Sequence, residues 1–120
     1  MSFSEFCIYQ VKPDKVKAFE EVMNEALPAM ERQEGVLLLR FARRDYVYRE
    51  FERIRQGQPP QKLTRIVKCV RYMLYWEFES IEAYGAAQQA LYQSHWKSID
   101  KCLLVPHDKF LGETLISLPE

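Results

Sequence analysis

Hydrophobic spacing in this 120-residue chain alternates between a two-residue and a 3.6-residue repeat. The order is strand, helix, strand, strand, helix, strand, and nothing else in the chain constrains the fold as much. "EFCIYQV", residues 5–11, reads as a strand apolar on both faces, with Phe6 and Ile8 on one and Cys7, Tyr9 and Val11 on the other. "KPDK" opens a helix at roughly 13–33. Pro13 is tolerated in a first turn, and Asp14 suits the positive end of the helix dipole. Val16, Phe19, Met23, Ala26, Leu27 and Met30 form one stripe along it. Pro28 is expected to kink or restart this helix, and Gly35 to stop it.

"VLLLRFARR" (36–44) is the second strand and "VKCVRYMLYWEFE" (about 67–79) the third. In the third, Val70, Tyr72, Leu74, Trp76 and Phe78 share one face, while Tyr75 and Glu77 lie on the other. Ser80 stands where a helix N-cap belongs, with Glu82 in the first turn. The helix that follows aligns Ile81, Tyr84, Leu91, Tyr92, His95 and Ile99, with Trp96 at the edge, and Pro106 closes the region. "KFLGETLIS" (109–117) is the fourth strand. The segment 45–66 is longer than a hairpin needs. Val47, Phe51 and Ile54 recur at helical spacing ahead of Gly57, which favours a short helix; a long hairpin arm is the other reading.

The order βαββαβ predicts an α+β, ferredoxin-like domain over 1–120: a four-stranded antiparallel sheet with two helices on one face and a basic insertion at about 45–66. In a monomer the second sheet face would meet water and should be polar. The strands are instead apolar on both sides. Leaving four to six large side chains wet would forgo roughly 1.5–3 kcal/mol each, so a homodimer joined through the sheets is predicted.

Composition narrows the function classes. Cys7, Cys69 and Cys102 are an odd set without CxxC spacing, which points to reduced thiols in a cytoplasmic protein and away from zinc. No apolar run is long enough to cross a membrane, and the first ten residues do not read as a leader peptide. The chain is neutral overall, yet residues 40–71 carry 10 basic and 3 acidic side chains. Tyr46, Tyr48 and Phe51 in that stretch could stack on bases. No nucleic-acid-binding motif accompanies them, so nucleic acid is the least favoured partner, behind a solvated arm or pairing with acidic parts of a second subunit. No metal-ligand spacing, nucleophile elbow or glycine-rich phosphate loop occurs, and neither metal nor cofactor is expected.

Three segments together resemble the dimeric α/β-barrel superfamily, and within it the antibiotic-biosynthesis-monooxygenase-like proteins. They are "YQVKPDKVKAFEEV", "ERQEGVLLLRF" and "LYWEFESIEAYGAAQQALYQSHWKSI". The resemblance implies a dimer whose two sheets close into a barrel, with a small pocket between sheet and helices in each subunit. It also implies oxidation of quinols or aromatic polyketides without metal or cofactor, as in some relatives. Others degrade haem; the Asn that branch carries on its first strand is missing here. A Trp commonly found two residues before the helix-starting Ser is Phe78.

Under that resemblance, His95 is the candidate proton donor or acceptor, because it projects from an apolar helical face. Its other reading is a hydrogen-bonded histidine at the core edge. Trp96, Tyr84, Trp76 and Tyr72 are candidates to hold a flat aromatic substrate, and could equally be packing. Arg40, among apolar strand residues, needs an anionic partner such as a ligand carboxylate or Glu77. Cys7 reads as a structural thiol and His107 as a loop residue. The expected function is a small cofactor-independent monooxygenase acting on an aromatic or quinol-like compound. A non-catalytic, ligand-binding or stress-associated dimer is the alternative.

Overall fold

A computed structural model describes residues 2–65 and 68–119. Its elements run β1 (Phe3–Val11), α1 (Val16–Glu31), β2 (Val36–Arg43), β3 (Tyr46–Val47), α2 (Phe51–Arg55), β4 (Gln61–Lys62), β5 (Val70–Phe78), α3 (Ile81–Ser94), α4 (Trp96–Asp100) and β6 (Asp108–Glu113). The main sheet has the order β2-β5-β1-β6 and every neighbouring pair is antiparallel. Each helical crossover passes over one intervening strand, which is the split βαβ arrangement expected from the sequence. Among the described residues no helix is long and apolar enough to cross a membrane.

The helices cover one sheet face. Cys7, Tyr9 and Val11 of β1 and Val70, Tyr72, Leu74, Trp76 and Phe78 of β5 point into the core, together with Phe19, Met23, Ala26, Leu27 and Met30 of α1. The pairing Cys7↔Leu74 puts the odd positions of β1 and the even positions of β5 on the same side. Neither set therefore lies on the second face. That face carries Phe6, Ile8, Leu38, Met73, Tyr75 and Phe110 instead.

α1 does not restart at Pro28. It continues to Glu31, because Pro28 is exposed and the Asn24 carbonyl that it leaves unpaired belongs to another exposed residue. The opening turn at Pro13–Lys15 is 3₁₀. Gly35 takes φ +85°, and its carbonyl accepts from the Glu79 amide at 2.8 Å, locking the turn before β2 to the end of β5. Ser80 caps α3, its hydroxyl accepting from the Ala83 amide at 3.0 Å.

The second helix of the sequence is two helices. Ser94 bonds sideways to the Ala90 carbonyl (2.7 Å) and to His95 Nδ1 (2.8 Å), and the chain turns at His95 before α4. Ile81 and Tyr92, expected on the buried stripe, are both exposed, whereas Leu91 of α3 and Ile99 of α4 are buried. The fourth strand ends at Glu113 rather than 117. Both readings of the insertion hold in part: β3 and β4 pair as a short hairpin arm, and α2 sits at its tip with Gly57 at φ +93° just beyond. The third strand is described from Val70; its expected start at Val67 lies outside the described residues, as does Ile66 at the end of the insertion.

Candidate functional site

A carboxylate lies under α3. Glu5 shares the parity of Cys7, Tyr9 and Val11, so β1 turns it into the core, where it is 1% exposed. Such a group must be paired and hydrogen-bonded. Cross-strand register supplies the partners. Trp76, opposite Glu5 on β5, donates its Nε1–H to Oε1 at 3.0 Å. On the other side Cys7 pairs with Lys109 of β6, and the Lys109 ammonium reaches Glu5 Oε2 at 3.2 Å. The Tyr84 hydroxyl, from the first turn of α3, also donates to Oε2. Burial, and then the bond to Glu5, push the Tyr84 pKa well up, so its hydroxyl keeps its proton at neutral pH.

The polar group continues outward from Glu5. Lys109 also donates to Gln88 Oε1 at 2.7 Å and lies 5.7 Å from the Tyr92 ring centre. Tyr92 Oη approaches His107 Nε2 at 3.4 Å, and the Trp96 ring meets the His107 ring edge-on at 4.7 Å. Burial, and then the Lys109 cation, lower the His107 pKa from its ordinary value. Two buried atoms here, Gln88 Nε2 and His107 Nδ1, have no hydrogen-bond partner among the described residues. Unpaired buried donors or acceptors are costly, so each of these atoms needs a polar partner such as an ordered water. Cys7 lies in the same region, fully buried, with its thiol pushed up to about 11 by burial; that is an inert thiol.

The sequence-predicted residues scatter around this group. Trp76 and Tyr84 sit at its centre and Trp96 at its outer end. Tyr72 points to another corner, four residues along β5. Its hydroxyl donates to Glu20 Oε2 at 2.6 Å, and Arg43 bonds the same oxygen at 2.9 Å. Arg40 pairs with Tyr75, so it projects from the opposite sheet face, is exposed, and donates to the Leu39 carbonyl. Glu77 on that face is buried, with Ser117 as its hydrogen-bond partner at 3.5 Å, and the described ion pairs do not join it to Arg40. His95 is bonded to Ser94 and lies 3.7 Å from Glu25 of α1.

Sequence reasoning passed over Glu5, Lys109 and Gln88, and placed His107 in a loop. The available signal was parity: a glutamate two residues before Cys7 falls on the face of Cys7, Tyr9 and Val11. Two open cavities lie away from this group. One, of about 360 Å³, lies against α1 and β2 at Met23, Leu27, Leu39 and Phe41. The other, of about 650 Å³, opens beside the β3–β4 arm. Among the described residues no group of three or more His, Cys, Asp or Glu side chains is placed to hold a metal ion.

No protein-family model matches the sequence, and no curated protein matches it. Solved structures do match in fold. A candidate antibiotic biosynthesis monooxygenase from Nitrosomonas europaea superposes with a TM-score of 0.69 over 98% of this chain and 92% of its own, at 16% identity. SnoaB, a cofactor-independent oxygenase from Streptomyces nogalater, gives 0.65 over 99% and 98%, at 14% identity. Rv0793 from Mycobacterium tuberculosis gives 0.70 over 98% and 99%, at 10% identity. The chain thus has the ferredoxin-like α+β fold of the antibiotic-biosynthesis-monooxygenase-like proteins.

Proposed function

We propose that this chain is a cofactor-independent monooxygenase acting, as a homodimer, on an electron-rich aromatic or quinol-like compound at the Glu5 group. The observation that carries this reading is a buried carboxylate ringed by Trp76, Tyr84 and Lys109, next to the unpaired Gln88 Nε2 and His107 Nδ1. The likeness in fold to SnoaB supports the reaction class.

Such a reaction needs a substrate anion and oxygen together, shielded from water. Glu5 would take the proton of an acidic C–H or O–H. Lys109 would stabilise the anion and the superoxide formed when it passes one electron to oxygen. Recombination gives a peroxide that loses water, so that R₂CH₂ + O₂ becomes R₂C=O + H₂O. Trp76, Tyr84 and Trp96 would flank the ring, and the half-exposed Tyr92 would move aside on entry. Proton handling falls to Glu5, with His107 nearby, rather than to His95.

Oxygen uptake with a panel of quinols and anthrone-like aromatics tests this. Glu5→Gln and Tyr84→Phe should each lower the rate by about 10²-fold or more, while His95→Ala stays within about twofold. Uptake that is indifferent to both Glu5→Gln and Tyr84→Phe would remove the site from the mechanism. One observation favours a second reading, a dimer that binds a ligand without turning it over: the three donors already engage both Glu5 oxygens. A thermal shift with small aromatics and no uptake would establish that alternative.

A further inference from the structure

We propose that the cleft beside the β3–β4 arm is a second binding site, for a small organic molecule carrying two or more phosphate groups. The cleft encloses about 650 Å³, within the range of small-molecule pockets, and residues from β1, α1, β2, the arm and β5 converge on it. Seven cations line it against one acid, Asp45. Arg43 is neutralised by Glu20 and Asp45. Arg44, Arg49, Lys62, Arg65, Lys68 and Arg71 form no ion pair among the described residues.

The chain as a whole is neutral, so carboxylates enough to pair these cations exist. They lie elsewhere in the fold. Six like charges facing one concavity repel each other and focus a positive potential into it, and a bound anion relieves both effects. Guanidinium forks match phosphate oxygens in pairs, and four of the six cations are arginines. The lining also includes the apolar Val16, Val47, Leu63 and Val70, which suit an uncharged organic portion.

The shape favours a small ligand over a nucleic-acid strand. Tyr46, Tyr48 and Phe51, the aromatic side chains of the arm, do not line the cleft, so it holds no stacking platform for successive bases. Its lining shares no residue with the Glu5 group, and the two sites stand or fall separately.

Titration calorimetry on the full chain tests the proposal, with adenosine diphosphate and inorganic pyrophosphate as probes and adenosine as the uncharged control. Both anions should bind at one site per chain and adenosine should not. Affinity should fall at least about fivefold between roughly 50 and 200 mM salt. Arg44→Gln combined with Lys62→Gln should weaken binding at least about tenfold, with circular dichroism and mass by light scattering unchanged. Arg49→Gln, at an exposed position, provides the same reading should the double variant fail to fold. Absence of saturable binding by both anions would overturn the proposal. So would unchanged affinity in the variants, a loss of mass showing that the cations hold a second subunit, or binding confined to a single-stranded oligonucleotide.

Discussion

Lys109 Nζ lies 3.2 Å from Glu5 Oε2, joining a carboxylate that is 1% exposed to an ammonium at the sheet edge 104 residues later. Removing one partner of a buried pair leaves the other charge uncompensated, at a cost of about 3–5 kcal/mol. Lys109→Met should therefore lower stability by about 3 kcal/mol in urea unfolding, Lys109 itself being partly exposed. Adding Glu5→Gln should recover part of the loss, because a neutral amide needs no counter-ion. A single substitution costing under about 1 kcal/mol would show that Tyr84 and Trp76 already satisfy Glu5 without Lys109.

The fold was legible because both periodicities are strong and the turn residues agree with them: Pro13, Gly35 and Ser80 each stand at an element boundary. The site was legible only in part. Alternation puts Tyr72 on the face of Trp76, but four residues at roughly 3.3 Å each carry it about 13 Å away, to the Glu20 end. Arg40 does share a face with Glu77, the partner the sequence suggested, but the described ion pairs do not join them: a common face is legible from alternation, a contact is not. The partnership of Glu5 with Trp76 and Lys109 is a matter of register between distant strands, which no local pattern records. His95 rested on a single continuous helix, and the chain breaks at that residue.

Gly35 should not accept a side chain. At φ +85° a β-carbon would stand 2.5 Å from the Ala83 β-carbon, and Ala83 lies in the capped first turn of α3, where it cannot swing away. Gly35→Ala should combine left-handed backbone strain with overpacking and cost about 2–4 kcal/mol. A drop in the thermal midpoint measures it. Gly57→Ala is the comparison: φ is +93° but nothing lies within 4 Å of the added carbon, so only the backbone part of the cost, about 1–2 kcal/mol, should remain.

His107 gives the fold a pH dependence. Burial first, then the Lys109 cation, lower its pKa, against opposing influences from Glu5, Asp100 and Asp108. Below the ordinary value of about 6.5 the unfolded chain takes up a proton that the folded chain resists. The contribution is fully present above about pH 6.5 and is lost as pH falls through the folded-state value. Urea midpoints should therefore drop between pH 7.5 and 5, and His107→Leu should flatten that part of the profile. A profile identical in the two proteins would assign the acid loss to other groups.

The sheet face away from the helices is the surface through which the proposed homodimer would form. Phe6 and Phe110 are direct cross-strand partners there, Ile8 pairs with Met73, and Phe110 is 68% exposed. Leu115, Ile116 and Leu118, in the segment following β6, are each about 80% exposed as well. A single chain gains nothing from holding this much apolar area in water. A second copy packed on it would recover roughly 1.5–3 kcal/mol for each large side chain fully covered. Phe110→Asp would place a carboxylate on this apolar face and should shift the light-scattering mass from dimer towards monomer at micromolar concentration. As Phe110 is exposed in the single chain, the circular dichroism of the variant should be unchanged. A wild-type protein that is already monomeric at that concentration would refute the dimer, and with it the barrel closed by two sheets.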